Sequence, residues 1–64
     1  MKVVYNKETD TLTILLRDAR VKESDEVPPG MIVDFGYDGG AVSMAILGAS
    51  KVVEKTEEIQ FAVG

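Results

Sequence analysis

Two alternating apolar runs enclose a knot of glycine and aspartate in Met31-Ile-Val-Asp-Phe-Gly-Tyr-Asp-Gly-Gly-Ala-Val-Ser-Met-Ala-Ile-Leu47. Successive side chains of a strand point to opposite faces, so alternation is a β signature. Met31, Val33 and Phe35 share one face, with Ile32 and Asp34 on the other. Val42, Met44 and Ile46 share a face opposite Ala41, Ser43, Ala45 and Leu47. Gly36-Tyr-Asp-Gly-Gly40 supplies residues that accept positive φ, as a tight reversal requires. The segment reads as a β-hairpin, and a period of two here commits the chain to a sheet. Its small-residue face of Ala41, Ser43 and Ala45 marks it as the centre on which other elements assemble.

The remaining segments follow the same period. Val3 and Tyr5 oppose Val4 in a first strand, and Asn6-Lys-Glu-Thr-Asp10 is a turn, because Asn and Asp bond their own backbone. Leu12, Ile14 and Leu16 alternate with Thr11, Thr13 and Arg17, and only Leu15 breaks the pattern. Asp18-Ala19 turns the chain into Arg20–Val27, which reads as an edge strand or an extended segment, its charges suiting an edge. Pro28-Pro29-Gly30 ends that strand, since proline donates nothing to a ladder. Ser50 is placed to cap a short helical turn over residues 50–55. In the tail, Ile59, Phe61 and Val63 alternate as a further strand, although Val52, Thr56, Ile59 and Val63 also fit a helix face. The expected architecture is mainly β: one domain over residues 1–64, a small antiparallel meander of five or six strands with one helical turn.

A 64-residue chain stands near the lower limit for a core that sustains itself. Small domains usually add a disulfide, a metal or a partner copy. With no cysteine and no histidine, a disulfide is impossible and a structural zinc site lacks its ligands. Self-association is the remaining device, and a two-fold dimer is its simplest form. The tail residues Ile59, Phe61 and Val63 are the candidate interface, by addition of a strand to another chain. A net charge of −4 disfavours nucleic acid and anionic membranes, and Arg17, Arg20 and Lys22 are the only clustered bases. No run approaches the length of a membrane span, and Met1-Lys2 leads directly into a strand, without a signal peptide. The expected location is cytoplasmic.

Nucleophilic catalysis of the usual kind lacks both cysteine and a histidine base. The glycine cluster joins two strands, whereas a phosphate cradle precedes a helix. Carboxylates are what remain. Asp34 alternates with Ile32 inside an apolar strand, where it is either a surface residue held by hydrogen bonds or, with Asp10, Glu8 or Asp38, a general acid or hard-metal ligand in a metal or hydrolase site. Tyr5 and Tyr37 read as half-buried sheet aromatics. No catalytic set and no cofactor are expected.

Tyr5-Asn6-x-Glu8-x-Asp10-x-Leu12-x-Ile14, Val21-x-Glu23-Ser24-x-Glu26-Val27, Gly30-x-Ile32-Val33-Asp34-Phe35 and Ile46-Leu47-Gly48-Ala49-Ser50-Lys51 occur in order across most of the chain. This arrangement resembles the small bacterial and archaeal family called domain of unknown function 2283. The chain departs from its pattern at Gly36, where an acid is usual, at Ser43 for glycine and at Ala45 for glutamate. The resemblance implies a small stand-alone protein, some of whose relatives lie beside toxin-like genes, and hence an antitoxin-like or other partner-binding role. Together these readings favour a non-enzymatic, self-associating interaction module. The alternatives are an antitoxin-like partner of a toxin protein and a carboxylate site around Asp10 and Asp34.

Overall fold

The structure is a computed structural model that describes residues 1–54. Five strands form one antiparallel sheet: β1 (Lys2–Asn6), β2 (Thr11–Leu15), β3 (Val21–Val27), β4 (Met31–Gly36) and β5 (Ala41–Leu47). A single 3-10 turn follows over Ala49–Lys51. The expected class is therefore observed, with five strands among the described residues. The tail residues 55–64, including Ile59, Phe61 and Val63, lie outside them.

The strand order is β1-β2-β5-β4-β3, so the connectivity departs from a plain meander. The β4–β5 hairpin inserts between β2 and β3, which makes β5 the central strand. Leaving β2, the chain bonds the end of β5, with the Leu16 and Arg17 amides donating to the Val42 carbonyl. It then crosses to the far edge, three strand spacings or roughly 14 Å away. Residues 16–20 span that distance when extended. Alternation in a sequence assigns faces, but it carries no information about which strands become neighbours.

Register assembles the faces in rows. Tyr5, Leu12, Ile46, Met31 and Val27 form one row across all five strands, and Val3, Ile14, Met44, Val33 and Asp25 form the next. The opposite face reads Val4, Thr13, Ala45, Ile32, Glu26, then Lys2, Leu15, Ser43, Asp34, Ser24. One face is thus apolar except along β3, and the other is mixed. Edge strand β3 is exposed throughout and bulged at Lys22, with Glu23, Asp25 and Glu26 guarding it against stray pairing.

Burial among the described residues is shallow. Only Leu12, Val42 and Ala49 of the apolar residues fall below a tenth exposed. The other residues of the apolar face on β1, β2, β4 and β5 are half-buried.

The 3-10 turn differs from the expected helical turn in position and in its cap. Its N-cap is Gly48 at φ 63°, a left-handed conformation, and no side chain caps it. Ser50 lies inside the turn and uses its hydroxyl elsewhere. Placing a side chain on Gly48 strains the backbone even though nothing crowds the position. Gly48→Ala is expected to lose about 1 kcal/mol, read as a lowered chemical-denaturation midpoint with an unchanged slope.

Candidate functional site

Asp34 sits on the mixed face, in register with Ser24 on β3 and Ser43 on β5. Both serine hydroxyls donate to its carboxylate: Ser24 to Oδ1, and Ser43 to Oδ2 at 2.7 Å. The bonds from Ser24 and then Ser43 hold its pKa below the ordinary carboxylate value. Asp34 is thus an ionised cross-strand tie, and it explains why Ser43 is tolerated at 6% exposure in the central strand.

Asp10 is a second tie at the other end of the sheet. It adopts φ 52°, which Asp tolerates better than most residues, so the turn-forming role expected of it holds. The Tyr5 hydroxyl donates to Oδ1 at 2.5 Å, the Ser50 amide to Oδ1 at 3.0 Å and the Ser50 hydroxyl to Oδ2 at 2.6 Å. The Ala49 amide reaches the Asp10 carbonyl at 2.9 Å. The turn after β1 is therefore pinned to the turn after β5. The Ser50 hydroxyl, followed by that of Tyr5, lowers the Asp10 pKa.

A third tie was not foreseen from the sequence. Arg17 forms a forked pair with Asp38, Nη1 to Oδ2 at 2.8 Å and Nη2 to Oδ1 at 2.7 Å. It also donates to the Gly40 and Ala41 carbonyls, both at 3.1 Å. The guanidinium lies so near Gly36 and Gly40 that a Cβ at either would stand 3.1 Å from Nη2. These glycines leave room for Arg17. The loop amides of Gly36, Gly39 and Gly40 are engaged by Gly40 O, Gly36 O and Asp38 Oδ1, respectively, which leaves none of the three for a phosphate. Arg20 lies over the Tyr37 ring at 5.2 Å, so two of the three clustered bases serve local contacts.

Asp10 and Asp34 are not brought together. Asp34 pairs with Ser43, while the strand beginning at Thr11 starts opposite Leu47, four residues along β5. The two acids are on the order of 15 Å apart along the sheet. Among the described residues no group of three or more acidic, histidine or cysteine side chains is placed to hold a metal ion.

Every strand and the start of the 3-10 turn fall within residues 2–50, which match the family model described as a protein of unknown function, DUF2283. The chain belongs to the DUF2283 family. No curated protein and no solved structure matches it. Within this DUF2283 domain, Ser43 bonds Asp34, and Gly36 lies under Arg17. Among the described residues no helix is long and apolar enough to cross a membrane.

Lowered carboxylate pKa values tie stability to pH. A group whose folded pKa is depressed contributes stability that is complete above its unfolded value, near 3.9, and is lost as pH falls through the folded value. Asp10, Asp34 and Asp38 all shift this way, with Asp38 held well below the usual range by Arg17 and then by the Gly40 amide. The melting temperature is expected to fall steadily with acidification below about pH 4. Asp34→Asn should melt lower than the parent at pH 7 and show a shallower acid dependence, followed by circular dichroism. An unchanged acid slope would show that Asp34 carries none of it.

Proposed function

We propose that this DUF2283 protein is a non-enzymatic, self-associating β module, in which the apolar sheet face packs against that of a second copy. The observation that carries this reading is the apolar face itself. Rows of Tyr5, Leu12, Ile46 and Met31, and of Val3, Ile14, Met44 and Val33, bear no charge until they reach β3. A sheet with one hydrophobic face is stable when a second layer covers it. Among the described residues the single short 3-10 turn is no such layer. The sheet is roughly 19 Å across from β1 to β3. A second copy supplies a layer of matching size, and two sheets packed about 10 Å apart interdigitate such side chains. The absence of cysteine and histidine fits an assembly that does without a covalent or zinc staple.

The three carboxylates support this reading through their partners. Each is engaged by hydroxyls, amides or a guanidinium that tie one part of the fold to another. Sedimentation equilibrium of the whole chain at micromolar concentration is expected to give a mass of two 6.9 kDa chains. A mass of one chain across the concentration range would rule out the self-association.

A further inference from the structure

Charge is distributed unevenly between the two edges of the apolar face. β3 is exposed throughout and carries Glu23, Asp25 and Glu26 against Lys22. Glu23 pairs with Phe35 and Asp25 with Val33, so both acids stand at the margin of the apolar face. β1, the opposite edge, holds no acid and a single base, Lys2. β5 is central, with two strands on either side. The row Val3, Ile14, Met44, Val33, Asp25 is therefore centred on Met44, and the row Tyr5, Leu12, Ile46, Met31, Val27 on Ile46.

We infer that the second copy is related by a two-fold axis along β5, so that the acidic edge β3 of each copy faces β1 of the other. This rests on the self-association proposed above and fixes which edges meet within it. Sheets packed in alignment keep their strands within about 30° of each other. The two-fold axis of such a pair runs either along the strands or across them. An axis across the strands sets β3 over β3 of the second copy, three acids against three. Sheets stack about 10 Å apart, roughly one screening length at 0.1 M salt, so like charges so placed oppose association. An axis along β5 instead parts the two acidic edges by the width of the sheet, roughly 19 Å. It seats Met44 on Met44 and Ile46 on Ile46 of the second copy. Ile14 then meets Val33, Leu12 meets Met31 and Tyr5 meets Val27, apolar against apolar. Asp25 lies at the rim beside Val3 of the second copy, on the strand that carries Lys2 and no acid.

The chain has no cysteine, so single cysteines report which edges meet. Val3→Cys protein mixed with Asp25→Cys protein should link into pairs through a short bis-maleimide, and neither protein should link when alone. Val3→Asp should weaken self-association by about tenfold or more, because it sets an acid against Asp25 of the second copy. Adding Asp25→Lys to that variant should restore the association. The two sites stand at opposite edges of one sheet, roughly 19 Å apart, so the rescue reports a contact between copies. The orientation is overturned if the mixture does not link, if either cysteine protein links to itself as well as the mixture does, or if Asp25→Lys brings no rescue. Sedimentation of the parent separates the two levels: a dimer with any of these results removes the orientation alone, and a monomer removes self-association as well.

Discussion

Met44→Lys is expected to abolish self-association, and Ala45→Lys to leave it intact. The two residues are adjacent on the central strand but point to opposite faces, Met44 between Ile14 and Val33, and Ala45 between Thr13 and Ile32. A lysine at position 44 would carry an ammonium into a packed apolar layer, where an unpaired charge is strongly disfavoured. A loss of affinity on the order of a hundredfold or more follows, since about 2.7 kcal/mol corresponds to that factor. A lysine at position 45 extends over the mixed face toward solvent. Met44→Ala, which shortens the side chain without adding charge, should weaken the assembly to an intermediate degree. Equal behaviour of the two lysine variants in sedimentation, with both folded by circular dichroism, would show that the faces are not distinguished.

Leu12→Ala should cost more fold stability than any other single truncation on the sheet. Leu12 is 5% exposed, lies in the all-apolar row and pairs with both Tyr5 and Ile46. Removing a buried leucine side chain costs about 2–5 kcal/mol through lost transfer energy and the cavity left behind. A small domain holds roughly 5 kcal/mol in all, so much of the folded population should be lost at 37 °C. Leu15→Ala is the matched control, because Leu15 is 39% exposed on the mixed face and should lose much less. Urea unfolding of both variants at one protein concentration measures the difference. The concentration must be fixed because the proposed self-association would contribute to the apparent stability.

Strand positions were legible because each obeys a local rule. Leu12 and Ile14 alternate with threonines, Pro28-Pro29-Gly30 ends β3, and the Gly36–Gly40 cluster turns β4 into β5. The edge role of β3 was legible in its charges for the same reason. The strand order was not, because insertion of the β4–β5 hairpin beside β2 depends on contacts between Leu12 and Ile46 that no local pattern encodes. The Arg17–Asp38 fork links residues 21 apart and is equally hidden. Asp34 stood out in the sequence as an acid in an apolar strand, but its two serine partners required the register to be known. Ser50 was recognisable as a capping type, yet its hydroxyl serves Asp10, forty residues away. The apolar face followed from alternation alone. Its extent across β1, β2, β5 and β4 became visible only with the pairing.

Isotope-filtered nuclear Overhauser spectroscopy on a mixture of labelled and unlabelled protein tests the packing most directly. Contacts between copies are expected from the side-chain methyls of Ile14, Val33, Met44 and Ile46, and none from those of Val4, Thr13 or Ala45. Contacts confined to the second set, or no contacts between copies at concentrations where the protein sediments as a dimer, would contradict packing through the apolar face.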